Sequence, residues 1–267
     1  MKTIIAGTDF SPSSENACKY AAMLANKLNC KLTLFNLYEA PLIHTNVGLY
    51  GVDISRIRKS HEEDISKLSS ELKTKYPTLK ISQFVTSGSF SDKLEDLTNS
   101  HQIEAVVMGL KVKDRISKYI FGSHGVNLAG KIKSPVIIVP EKYVNHKLSN
   151  LVLAVDNSEK LFKPTLRGFE KLIKTAKAEV DILYIRTPDE LFNPVLKAVK
   201  INQDLINVKI RKAKDINLGI KRHCQESPKD MIAIVSKRHS VLYNMFNESH
   251  TQKIAYNSKI PVMAIHE

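Results

Sequence analysis

Gly109 opens a polar loop carrying Lys111 and Lys113, and thirteen residues later that loop closes on Gly122-Ser123. Glycines let backbone N–H groups approach an anion closely. A helix that starts at Ser123 adds a partial positive charge and unpaired N–H donors at the same point. The Ser123 hydroxyl and the two lysines complete an anion nest, which His124 and Gly125 extend. Far upstream, Gly7-Thr8-Asp9 follows an apolar run and presents a carboxylate that can accept hydrogen bonds from a base or a ribose. An acceptor on one side and an anion nest on the other make a site of nucleotide shape.

Competing chemistries find less support. Residues 125–132 fit G-x4-G-K, but Ile132 stands where a P-loop needs Ser or Thr for a magnesium ion, and the context is helical. The nine histidines show no H-E-x-x-H spacing, so no metal site is expected. No G-x-S-x-G elbow or triad is evident, and Asp9 and Asp114 are the only carboxylates placed near the loop. The expectation is a binding module and not an enzyme, with a slow ATPase as the alternative.

The elements that must hold these residues come from a repeat. TIIAG (3–7) followed by Asp9 resembles LVLAV (151–155) followed by Asp156, and IKSPVIIVPE (132–141) resembles SKIPVMAIHE (258–267). Strands are predicted near 3–7, 31–37, 79–85, 104–108 and 136–139, and helices near 12–28, 53–75, 90–100 and 123–132. The second half repeats the alternation, with strands near 150–155, 179–185, 207–212, 230–235 and 262–265. Alternation of this kind implies parallel sheets with right-handed crossovers. The runs 106–108, 136–139 and 232–235 are apolar throughout, as strands buried on both faces are. The fold class is α/β, in two Rossmann-like domains, each a five-stranded parallel sheet flanked by helices. The expected domains are 1–143 and 148–267. In such sheets ligands bind beyond the carboxyl ends of the strands, where the strand order reverses.

On these residues the chain resembles the universal stress proteins of UspA type, in a tandem two-domain form. The family signature G-x2-G-x9-G-S/T reads here as Gly109-x2-Val112-x9-Gly122-Ser123, so Val112 replaces the second glycine. The resemblance implies the adenine nucleotide alpha hydrolase-like fold and a cytoplasmic stress-response role. It also implies an ATP- or AMP-type ligand, with magnesium only alongside ATP and no cofactor needed for folding. By the same resemblance Thr8 and Asp9 lie near the adenine, and Leu37 and Met108 are apolar contacts to it. Val112 favours a second reading, a stress scaffold that binds no nucleotide and acts by protein contact. In the second half Ser236 is aligned with Gly109 across a loop one residue shorter, and Glu248-Ser249 with Gly122-Ser123. That half is therefore expected to be degenerate.

Composition narrows the partners. The 267 residues hold 43% hydrophobic and 25% charged side chains, as a globular chain does. The longest apolar runs fall far short of a membrane span, and no signal peptide is read at the N-terminus. Three cysteines with no C-x-x-C fit a reducing cytoplasm. The net charge of +13 divides as +5 over 1–145 and +8 over 146–267, with one denser stretch from Lys197 to Arg222. A solvated surface explains it better than a nucleic-acid face. The resemblance also places the final strands of the halves at sheet edges, which proteins cover or pair. Strands 136–139 and 262–265 are therefore expected to pair antiparallel in an intramolecular pseudo-dimer, burying Val136, Ile138, Val262 and Ala264. A further homodimer and the protein partners are left open.

Overall fold

The computed structural model describes residues 2–38, 54–100, 102–110, 134–155, 163–188, 206–236 and 258–266. The first half runs β1 (Thr3–Thr8), α1 (Pro12–Leu28), β2 (Lys31–Tyr38), α2 (Ile54–Lys75), β3 (Ile81–Ser87), α3 (Phe90–Ser100), β4 (Ile103–Leu110) and β5 (Val136–Pro140). The second runs β6 (Asn150–Val155), α4 (Lys163–Ala176), β7 (Glu179–Arg186), β8 (Ile206–Lys212), α5 (Ile216–Glu226), β9 (Met231–Ser236) and β10 (Val262–His266). The expected helix at 123–132 lies outside the described residues.

All ten strands form one sheet in the order β3-β2-β1-β4-β5-β10-β9-β6-β7-β8. Within each half every pairing is parallel, and the order reverses between β1 and β4 and again between β6 and β9. The halves join where β5 meets β10 antiparallel, with Val262 opposite Ile138 and Ala264 opposite Val136. This is the pairing expected from the sequence. All four of those side chains are at most 5% exposed, so the apolar edges that each half would leave open cover one another.

The two faces of the sheet are built differently. On one face a single apolar core runs unbroken from Ile4, Leu34 and Val107 to Leu153, Tyr184 and Ile265, beneath α1, α2 and α4. Here α1 and α4 pack against each other across the junction. The other face carries two separate cores, one around Phe35, Leu94 and Met108 and one around Leu183, Ile220 and Ile234.

The helix ends follow local chemistry. Ser11 caps α1, its hydroxyl accepting from the Ser14 amide, and Pro12 fills the first turn where its missing N–H does no harm. Asn29 ends α1 in the left-handed region, and Lys177 takes the same conformation after α4. The connection 141–149 is fastened at both ends. Asn16 on α1 donates to the carbonyls of Pro140, Glu141 and Tyr143 at 2.9–3.2 Å. At the other end Asp230 accepts from the amides of Ser149 and Asn150 at 2.7 and 3.0 Å.

Candidate functional site

The turn after β1 is held by its own side chains. The Thr8 and Ser14 hydroxyls share a hydrogen bond of 3.2 Å, and the Phe10 amide donates to Thr8 Oγ1 at 3.0 Å. Ser14 Oγ accepts from the Asp9 amide, also at 3.2 Å. Asp9 is exposed, and its Oδ1 accepts from both the Ser11 amide (3.1 Å) and the Ser11 hydroxyl (2.6 Å). Phe10 pays for this tight path with a φ of 60°, rare for a bulky residue. Asn36, fully buried on β2, braces the turn from beside it: its amide donates to the Thr8 carbonyl at 2.9 Å. The Asn36 carbonyl oxygen can only accept, so His61 on α2 donates to it from Nδ1, also at 2.9 Å. The rings of Phe10 and Tyr38 flank His61 at 5.7 and 5.5 Å.

Strand alternation sorts the predicted site residues onto two faces. Met108 and Leu37 pack into the Phe35 core, and a Cβ on Gly7 would lie 3.4 Å from Met108 Cε. Gly7, Leu37 and Met108 therefore converge at the carboxyl ends of β1, β2 and β4, at the point where the strand order reverses. Thr8 points to the opposite face, where its hydroxyl is engaged with Ser14 and the Phe10 amide, so its side chain supports the turn. Gly109 also belongs to that opposite face. A Cβ there would meet Ser13 O at 2.4 Å and Ser14 N at 2.8 Å. Its glycine is required by the first turn of α1, which rests directly on β4, and this brings the positive end of that helix beside the strand end.

Lys111, Gly122, Ser123, His124 and Gly125 lie outside the described residues, as do Val112, Asp156, Glu248 and Ser249. Asn36 and His61 escaped the sequence reading, although a polar residue inside KLTLFNLY is a signal that something must satisfy it.

The same positions in the second half follow from the strand registers. Ala154 stands for Gly7, Ile185 for Leu37 and Ile234 for Met108. Ala233 pairs with Met263 as Val107 pairs with Ile137, which puts Val235 at the place of Gly109. This corrects the sequence alignment, which set Ser236 there. From Gly109 to Pro135 and from Val235 to Pro261 the separation is 26 residues in both cases, so the loop is not shortened. Helix α5 also descends closely, because Gly219 allows it to: a Cβ there would sit 2.7 Å from Ile185 Cδ1.

The family model of the universal stress protein family matches residues 1–140. This chain belongs to the universal stress protein family. Among solved structures, a universal stress protein from Archaeoglobus fulgidus DSM 4304 aligns with 99% of this chain and 96% of its own, at 16% identity and a TM-score of 0.72. A putative universal stress protein from Pseudomonas aeruginosa aligns with 100% of this chain and 93% of its own, at 11% identity and a TM-score of 0.62. These likenesses extend the family fold over both halves. No curated protein matches the sequence. Among the described residues no helix is long and apolar enough to cross a membrane, and no cluster of His, Cys, Asp or Glu is arranged to hold a metal ion.

The second half carries a polar cluster of its own on the face away from α4. Asp181 Oδ2 lies 2.8 Å from His223 Nε2 and 2.7 Å from Lys229 Nζ, and all three side chains are at most 6% exposed. Burial works to raise the Asp181 carboxyl, but Lys229 and His223 outweigh it and hold the group below its ordinary range. Burial lowers His223, countered only in part by Asp181. The cluster lies near the amino end of β7, far along the strand from the candidate ligand end, so it serves the fold and not the site.

Proposed function

We propose that the first half is a nucleotide-binding module that takes an ATP- or AMP-type ligand at the carboxyl ends of β1, β2 and β4. The supporting observation is the convergence of Gly7, Leu37 and Met108 on one face, with Asp9 exposed just beyond. An apolar platform of this kind suits a planar base. Asp9 has Oδ1 occupied by Ser11, and Oδ2 has no partner among the described residues, so it remains to accept from a ribose hydroxyl or a base amine. The loop bearing Lys111, Gly122, Ser123, His124 and Gly125 would supply the phosphate contacts, with magnesium entering only with ATP. The module binds and does not catalyse. The second half, proposed to span 148–267 against 1–143 for the first, is a structural partner that takes no nucleotide. Cys18, Cys30 and Cys224 are all free thiols, consistent with a cytoplasmic stress-response role.

Calorimetry with ATP, ADP and AMP tests the reading. One site per chain is expected, lost in Gly7→Val, whose added methyls would fill the space against Met108. Val112→Gly is expected to tighten binding. No heat with any of the three nucleotides would sink the proposal and leave the scaffold reading, which Val112 in the place of a glycine favours.

A further inference from the structure

The two ends of the ten-stranded sheet differ in kind. At one end β3 is uncharged over Ile81–Ser87, and α2 packs across it. At the other end β8 reads Ile-Asn-Val-Lys-Ile-Arg-Lys and is exposed from Asn207 to Lys212. Val208 and Ile210 are each 54% exposed, far more than strand residues of this type usually are. Among the described residues no strand pairs with the outer side of β8. From Ile206 to Arg222 the chain carries six basic side chains against Asp215 alone, and of these Arg211 pairs with Glu226 on α5 at 3.1 Å, which leaves this edge strongly positive. Two of them, Lys221 and Arg222, are exposed on α5, which packs beside β8.

The backbone of β8 is set for pairing. The Ala213 amide donates inward to the Arg186 carbonyl at 3.1 Å. Hydrogen-bonding direction alternates along a strand, so the amides of Val208, Ile210 and Lys212 face the open edge. An open row of donors and acceptors, apolar side chains on one face and cations alternating with them, is a template for an added strand of opposite charge. A second copy of this edge would meet it with like charge, which argues against self-pairing. Nucleic acid is poorly matched, because β8 offers no aromatic ring for a base to stack on.

We propose that β8 is a docking edge for an extended acidic segment of a partner protein, which adds to the sheet as an eleventh strand. The proposal is independent of nucleotide binding in the first half.

A fluorescent peptide of alternating Glu and Val is the probe, with anisotropy as the readout and a single-stranded oligothymidylate as the competing polyanion. One peptide is expected to bind per chain, more tightly than the oligonucleotide. Reversing charge with Lys209→Glu, Arg211→Glu and Lys212→Glu together is expected to weaken it by about tenfold or more, in line with the loss of several exposed ion pairs. Ile210→Pro removes one outward donor and keeps every charge, so it is expected to weaken the peptide by a similar factor; circular dichroism checks that the sheet survives. Absence of peptide binding would overturn the proposal. So would tighter binding of the oligonucleotide, or peptide binding that Ile210→Pro leaves unchanged, since charge alone would then explain the contact. If Ile210→Pro fails to fold, hydrogen exchange at the β8 amides in the unmodified chain takes its place: protection on adding peptide supports the pairing and its absence refutes it.

Discussion

The two halves share a strand order and, beyond a register shift between Thr3 and Ile4, registers that superpose residue on residue, yet they use matching positions differently. Gly109 lets the first turn of α1 lie on β4, and the residue at the same register position in the second half is Val235. Gly7 leaves a bare backbone beside Met108, and its counterpart is Ala154. In the first half the edge of Leu37 is left half-buried, whereas Gly219 seats α5 on the equivalent Ile185. Three residue differences therefore fall at the carboxyl ends of the strands in the two halves. Lower down the contrast runs the other way. Asp181, His223 and Lys229 occupy places that hold Thr33, Leu97 and Ile103 in the first half. A duplicated fold therefore keeps its strand order and core while the chemistry of its two ends drifts apart.

The largest expected effect comes from breaking the buried cluster. Asp181→Leu leaves Lys229 and His223 buried without their carboxylate, and chemical denaturation should show a loss of about 3–5 kcal/mol. Installing the first half's residues together, as Asp181→Thr, His223→Leu and Lys229→Ile, should recover most of it. The unmodified chain should also show a pH dependence that the triple variant lacks. His223 titrates lower in the fold than in the unfolded chain, so its contribution is complete above the unfolded value near 6.5 and falls as pH drops through the folded one. The depressed carboxyl of Asp181 acts in the same direction at lower pH: its stabilisation is present above the unfolded value near 4 and is lost as pH falls through the folded value. A flat profile from pH 7 to 5 in the unmodified chain would remove this contrast.

Gly109→Val comes next, because it gives the first half the residue of the second. Its Cβ would overlap backbone atoms of Ser13, which have no rotamer to yield, and a cost of about 1–3 kcal/mol is expected from such overpacking. The reciprocal Val235→Gly creates no overlap and should cost about 1 kcal/mol of backbone entropy. Equal tolerance of both changes in thermal melts would show that the registers mislead.

Asn16→Ala carries the smallest effect. It removes the donor shared by the carbonyls of Pro140, Glu141 and Tyr143, and the loss of a half-buried amide's bonds predicts about 1 kcal/mol. Because one core runs across both halves, the melt should stay a single transition; a split into two would show that the halves are fastened less firmly than the shared face implies.

Much of this was legible in the sequence. Apolar runs such as VVM and VIIV marked the buried strands, the Ser-Pro pair marked the start of α1, and the repeated prolines Pro135 and Pro261 marked the two strands that meet. What escaped was long-range. Nothing local in Gly109 distinguishes a phosphate nest from a helix resting on a strand, because the atoms it accommodates belong to Ser13 and Ser14. The second-half alignment slipped by one residue because Val235 and Ser236 both follow an apolar run, and only ladder pairing with β10 separates them. Asp181, His223 and Lys229 are 42 and 6 residues apart in sequence, and their meeting depends on how α5 packs.

The difference between the halves at their carboxyl ends is tested most directly by photolabelling. A photoreactive azido-adenine nucleotide, irradiated with the full chain and followed by peptide mass spectrometry, reports where the base sits. The account predicts label on peptides around Asp9, Leu37 and Met108, competed by unlabelled ATP or AMP, and none around Ile185 or Ile234. Competed label on the second-half peptides, alone or equal to the first, would contradict it.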